Sequence, residues 1–211
     1  MGVVIGVDVG QKRDPTAVAV VEVEERVVDQ EVVRLGSGIV KRNEKTEYHN
    51  LVRHLERLPL GSPYPTVADR LAVIVEAVEN REDELDRVYV DATGVGAPVV
   101  DLMRERVSAR IVAVYFTHGD RRVEHSRRDV TLGKAFLVSR LQALLQTCRV
   151  HLPRTPEAKE LAEELMDYEI RVDRDANDRY GAFRVGTHDD LVTALGLAVQ
   201  VEPKRIQFAR V

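Results

Sequence analysis

The chain reads as an α/β protein built on a mixed central sheet, antiparallel among its early strands and parallel among its later ones, with helices on both faces. Three observations carry this. Val3-Val4-Ile5-Gly6-Val7 and Val88-Tyr89-Val90 are short, β-branched apolar runs of the kind found inside a sheet covered on both sides. A short turn joins the first run to a second, residues 16–24, which requires antiparallel pairing. Between that pair and Val88 lies an amphipathic stretch with Val67, Leu71, Ile74, Val75 and Val78 at helical spacing. A strand that returns after such a crossover lies parallel to the first, here adjacent to it.

The 211 residues suit one domain over residues 1–211, and 31 % charged with 44 % hydrophobic residues is globular composition, which excludes a low-complexity chain. No apolar run approaches the roughly 20 residues of a membrane span and no signal-like segment opens the chain, so no membrane partner is expected. A single cysteine, Cys148, precludes an internal disulfide and fits a reducing cytoplasm. Its spacing from Leu137, Leu141 and Leu144 predicts packing along one helical face. The net charge of −4 provides no overall basic footprint, so a nucleic-acid partner must be held by local charge.

In chain order, the valines at 27, 28, 32 and 33 followed by a charged run predict an inserted or elongated hairpin near 25–47. Residues 51–58 fit a third strand, or a short helix almost as well. Gly61-Ser62-Pro63-Tyr64-Pro65 breaks the chain, and Thr66-Val67-Ala68-Asp69 has capping-box form with Asp in place of Glu. After Asp91 comes a glycine-containing turn and a helix entered near Pro98. Gly94 and Gly96 lack the third glycine of a dinucleotide fingerprint. A strand at 110–116, a loop at 117–129, a helix at 131–147, a short strand at 150–152 and a helix at 156–168 follow. Residues 171–179 are polar and turn-rich, and 181–185 read as an edge strand. The final helix, after Thr187, is almost wholly apolar beyond its first turn and is expected to be buried nearly all round.

The chemistry rests on acids at the ends of these elements. Asp8 interrupts the first apolar run, and a carboxylate there needs a partner or a metal. Gly6 and Gly10 beside it permit close approach of other atoms. Alone, this motif does not separate a metal site from a phosphate-binding turn or a satisfied turn aspartate. Asp91 ends a strand in the position where open α/β sheets place their functional crevice, although a strand-end aspartate also serves simply to bond turn amides. His188-Asp189-Asp190 opens the final helix, where acids also suit the helix dipole and Asp190 sits at a capping-box position after Thr187. The inward stripe Leu191, Ala194, Leu195 and Ala198 lies nearer Asp190 than Asp189, so Asp190 is expected to point at the sheet. Two strand-end aspartates and one from a helix form an oxygen-rich set suited to two magnesium or manganese ions about 4 Å apart. Histidine and cysteine are too scattered for zinc. The arginines at 121, 122, 127 and 128 either hold phosphates or form a solvated charge run with Asp120, Glu124 and Asp129. Lys134, in the first turn of its helix and opposed to the dipole there, suits a ligand-facing role.

These residues resemble the nuclease domain of phage large terminase subunits, in the RNase H-like, RuvC-like superfamily. The matching pieces are Gly6-Val7-Asp8-Val9-Gly10 with Asp14-Pro15-Thr16-Ala17, Val90-Asp91-Ala92-Thr93-Gly94-Val95-Gly96, the helical piece from Leu137 through Leu145, and His188-Asp189-Asp190-Leu191-Val192-Thr193-Ala194-Leu195, in the family's order. The resemblance implies an RNase H-like mixed sheet and an endonuclease that cleaves double-stranded DNA with two divalent cations, Mg or Mn. It implies that Asp8, Asp91 and Asp190 are the catalytic ligands, that Asp189 shares the metal, and that Asp14 and His188 stand near the site. It also implies a setting in the cytoplasm of a phage-bearing host, with an ATPase motor domain or other packaging proteins as partners. Nothing here reads as the family's Walker A loop, so the chain is expected to be an excised domain or a free-standing relative.

With no groove-reading helix evident, cleavage is expected to have little sequence preference, with Arg121, Arg122, Arg127, Arg128 and Lys134 holding phosphates. Two other classes stay open: a non-catalytic nucleic-acid-binding or assembly module of the same fold, and an actin-like ATPase or sugar-kinase fragment. The latter needs two copies of such a fold, and the chain shows no internal repeat.

Overall fold

A computed structural model of the protein describes residues 2–10, 14–34, 40–81, 84–167, 169–172, 178–181 and 189–200. The elements are β1 (Gly2–Asp8), β2 (Ala17–Arg34), β3 (Val40–Arg57), α1 (Tyr64–Glu79), β4 (Leu85–Asp91), α2 (Gly96–Arg106), β5 (Ile111–Thr117), β6 (Arg122–Glu124), β7 (Asp129–Gly133), α3 (Lys134–Gln146), β8 (Val150–His151), α4 (Pro156–Asp167), β9 (Glu169–Val172), β10 (Asp178–Gly181) and α5 (Asp190–Val199). Among the described residues, eight strands form one sheet in the order β6-β7-β5-β4-β1-β2-β3-β8, and β9 pairs with β10 separately.

The first strand lies centrally, as its unbroken apolar run requires. It pairs antiparallel with β2 and parallel with β4, with Val7 opposite Val18 on one side and Val90 on the other. Period two then sorts the side chains. Val3, Ile5 and Val7 join Val88 and Val90 in a core beneath α1 and α2. Val4 and Tyr89 enter the opposite core, which is built with α3, α4 and α5. Helices therefore cover both faces.

The helix α5 is buried along its whole length and lies directly on β1. The contact depends on Gly6: a Cβ there would fall 2.0 Å from the carbonyl oxygen of Ala194 and 2.7 Å from the nitrogen of Ala198. Ala17 and Ala19 on β2, both fully buried in the same core, keep the neighbouring floor low. A helix with this many apolar residues has no face to spare for water, so it takes the place in the fold with the most burial.

The second and third strands are far longer than the runs at 16–24 and 51–58. They pair from Ala17↔Arg57 to Arg34↔Val40 as one long hairpin with register shifts at Val20/Val21 and Val27/Asp29. Residues 51–58 are thus strand rather than helix through Arg57.

Several local expectations are corrected. The capping box at Thr66 is not used: α1 starts at Tyr64 after Pro63, because a proline in its first turn already suits a helix start. The helix after Asp91 begins at Gly96, ahead of Pro98. Residues 129–133 are strand, pairing parallel with β5, so the helix begins at Lys134 instead of 131; β6 also occupies part of the expected loop. The alternation Val130, Leu132 fills the core as strand positions, a short period-two signal that the following helix masked. Cys148 does not pack: it is exposed, beyond the end of α3, and adopts a positive φ of 54° that turns the chain away from the helical face. Of the turn-rich segment, Glu169–Val172 and Asp178–Gly181 are strands, while 173–177, the expected edge strand beyond Gly181, and Thr187 lie outside the described residues.

Both atoms that a Gly6 side chain would strike belong to backbone, so neither moves cheaply. Gly6→Ala is expected to cost at least about 3 kcal/mol, the upper end of overpacking penalties, read as a lowered urea midpoint at unchanged m-value.

Candidate functional site

Asp8 and Asp91 follow from strand geometry. Asp8 is two residues beyond Gly6, and Asp91 two beyond Tyr89, so both side chains leave the sheet on the α5 face. The pairing of Val7 with Val90 makes them neighbours at the carboxyl ends of adjacent parallel strands. Along α5, Asp190 is one turn before Ala194, the residue seated over Gly6. A helical turn rises about 6 Å over four residues and two strand residues rise about 6.6 Å, which brings Asp190 level with Asp8. Asp189, at the N-cap position, sits at the rim.

These acids open onto a cleft of about 870 Å³, lined also by Gly10, Asp14, Thr16 and Gly94 and by the 59–64 segment through Pro59, Gly61, Ser62, Pro63 and Tyr64. Gly10 is needed for the turn below it, because a Cβ there would fall 2.1 Å from the carbonyl oxygen of Asp14. Thr16, buried, accepts a hydrogen bond from the Gly10 N–H at 3.1 Å through its Oγ1. Asp91 Oδ1 accepts one from the Thr93 N–H at 2.8 Å, so this aspartate does bond its own turn while facing the cleft. Thr93 Oγ1 in turn accepts from the Phe116 N–H at 2.8 Å, fixing the turn to β5.

The electrostatics are those of crowded carboxylates. Burial pushes Asp8 well above its ordinary value of 3.8, and the charges of Asp91, Asp189 and Asp190 raise it further. Asp91 is raised by burial, opposed by its Thr93 bonds. The Lys134 ammonium lowers both. Its Nζ lies 5.5 Å from the centre of the Phe116 ring, so the lysine at the start of α3 turns toward the acids.

Asp190 is buried, 2 % exposed, and meets a residue that sequence reading missed. Arg57 Nε donates to Asp190 Oδ2 at 2.6 Å, Nη1 to Glu160 Oε2 at 2.5 Å, and Nη2 pairs with Glu164. Glu164 Oε2 accepts the Val192 N–H at 3.1 Å, tying α4 to the first turn of α5. A signal for Glu164 existed, since it shares a helical face with Leu161 and Ala158; Arg57 gave none, because its face is set by pairing with Ala17.

Of the remaining expected residues, Asp14 lines the cleft and the arginines do not. Asp14 is exposed at the edge of the cleft. His188 lies outside the described residues. Arg121, Arg127 and Arg128 are exposed around β6 and β7, and Arg122 donates to Gln200 at 3.1 Å and pairs with Glu124 at 3.4 Å. None lines the cleft, and the edge strand β6 stands four strand spacings, roughly 19 Å, from β1. The helix starts at Asp190 with Asp189 at its N-cap position, and Thr187, the expected cap, lies outside the described residues.

Among the described residues, no three His, Cys, Asp or Glu side chains are drawn together closely enough to hold one metal ion. The donor set nonetheless fits a divalent cation: all are hard carboxylate oxygens, and their mutual repulsion is the kind an ion relieves.

Comparison with known proteins gives one family. The profile described as "Terminase RNaseH-like domain" matches residues 5–202. Among solved structures, the magnesium-bound large terminase nuclease of thermophilic phage G20c superposes with a TM-score of 0.59 at 21 % identity, over 93 % of this chain and 79 % of that one. The large terminase nuclease domain of Thermus phage P74-26 gives 0.57 at 20 %, over 96 % and 80 %. The human cytomegalovirus terminase nuclease domain gives 0.58 at 18 %, over 96 % and 84 %. No curated protein matches the chain.

Folded Asp8 and Asp91 bind protons more readily than the unfolded chain, so their contribution is favourable below about 4 and is lost as pH rises through their raised values. Asp8→Asn is therefore expected to raise the melting temperature in EDTA at pH 8, with a gain that fades toward pH 4. Calorimetry across that range checks both sign and window.

Proposed function

The chain belongs to the terminase RNase H-like domain family, and from that premise we propose that it is a metal-dependent endonuclease acting on double-stranded DNA. One observation carries the proposal: Asp8, Asp91, Asp189 and Asp190 converge from two strands and a helix on a single open cleft. In this reading Asp8, Asp91 and Asp190 hold two divalent cations, Mg or Mn, with Asp189 sharing them and Asp14 and His188 nearby. Bound ions of this kind lower the pKa of a water and offset charge on a phosphodiester.

The chain's own groups do the rest. The acids are fixed by a sheet and a buried helix, so their oxygens hold direction while substrate enters from the open side. Lys134 supplies a positive charge beside Asp8 and Asp91, which favours their ionised, ligating form and draws a phosphate toward them. Arg121, Arg122, Arg127 and Arg128 hold DNA backbone at the β6 edge, a distance from the cleft comparable to the width of a duplex. Such contacts position DNA without reading its sequence. Other packaging components, including an ATPase motor, are the partners this role requires.

Nicking of supercoiled plasmid is expected with Mg or Mn and not in EDTA. Asp8→Asn, Asp91→Asn and Asp190→Asn should each reduce it to background with unchanged circular dichroism. Normal cleavage by Asp190→Asn together with its loss in Asp189→Asn would reassign the principal ligand.

Replacing Arg121 and Arg127 with alanine is expected to weaken binding to all duplex sequences alike. The slope of log K against log salt should flatten by about 0.9 for each phosphate that is no longer neutralised. Fluorescence anisotropy at several salt concentrations measures it, and an unchanged slope places the DNA elsewhere.

A further inference from the structure

The geometry points to Arg57 as the positioning residue that holds Asp190 in its ligating orientation, with Glu164 as the brace that holds Arg57. The inference rests on the nuclease reading above and adds to it two residues from elements that contribute none of the proposed ligands.

The arrangement is specific in three ways. Arg57 ends β3 directly opposite Ala17, on the face where Ala17 and Leu55 pack beneath the helices, so its side chain is delivered to the α4–α5 side of the sheet. Its guanidinium then divides its donors: Nε to Asp190, Nη1 to Glu160 and Nη2 to Glu164. The arginine and its two inner partners are largely removed from solvent, with side-chain exposures of 22 % for Arg57, 8 % for Glu164 and 3 % for Asp190. Glu160, at 53 %, is the solvent-facing member.

Glu164 is held twice, by Arg57 and by the Val192 N–H in the first turn of α5. The brace and the carboxylate it serves are therefore referenced to the same helical turn. Asp190 is gripped through Oδ2, which restricts the torsion of a short side chain to one sense. A lysine in place of Arg57 keeps the charge and loses the fork that serves three carboxylates at once. Groups that orient a ligand in this way commonly change metal affinity by about 10–100-fold when removed.

The test is Mn2+ binding to the whole chain, followed by electron paramagnetic resonance, together with thermal melting in EDTA. The proteins are the parent, Arg57→Gln, Arg57→Lys, Asp190→Asn and the double variant Arg57→Gln/Asp190→Asn. Arg57→Gln is expected to weaken Mn2+ binding about 10-fold or more. Arg57→Lys should fall between it and the parent. In the Asp190→Asn background, Arg57→Gln should produce no further weakening, because the arginine acts through that carboxylate. Arg57→Lys guards the experiment against misfolding, since it leaves no buried glutamate without a cation. Two results overturn this proposal while leaving the nuclease reading in place: Mn2+ affinity unchanged in Arg57→Gln while only the melting temperature falls, or an equal weakening in both backgrounds. A parent that binds no Mn2+ overturns the nuclease reading itself and this proposal with it, a result distinct from binding that is insensitive to Arg57.

Discussion

The close seating of α5 on β1 is the constraint on which the site depends. Without a side chain at Gly6, the helix backbone comes into direct contact with the central strand, and Asp190 is brought level with Asp8. A larger residue there would lift the helix, and a shift of about 1 Å is enough to spoil a ligand set. The small Ala17 and Ala19 widen the low floor, and Gly196 lets Leu137 of α3 close over the helix from the other side.

That packing creates an electrostatic problem which the fold answers with two cations from distant positions. Two like charges 4 Å apart repel by about 4 kcal/mol at an effective dielectric of 20. The five carboxylates lining one cleft therefore need counter-charge. Lys134 answers for the strand aspartates and Arg57 for Asp190. The division matches the architecture: the lysine comes from the helix that follows β7, while the arginine comes from the strand on the opposite side of β1.

The long β2–β3 hairpin and the basic β6 edge lie on opposite sides of the acidic centre in the sheet order. The sheet thus presents an acidic middle, with the arginines at 121, 122, 127 and 128 set apart from it around β6 and β7.

Much of this was legible in the chain itself. Apolar runs broken by a terminal aspartate carry strand position and side-chain face together, so the adjacency of β1 and β4 and the fold class follow from periodicity and from the handedness of the crossover. The almost wholly apolar character of Leu191 through Val199 likewise announces a buried helix with its acids at the mouth. What only the tertiary structure decided depends on register or on competition between overlapping signals. Residues 129–133 carry a strand pattern too short to outweigh the helix that follows, and only pairing with β5 reveals it. Cys148 continues a helical spacing beyond the residue where the helix has ended, and a positive φ takes it out of the core. Arg57 and Asp190 meet across 133 positions because Ala17 stands opposite Arg57 in the β2–β3 ladder. Local periodicity tells which face a residue takes; which charge it meets there is set by the pairing of strands far apart in the chain.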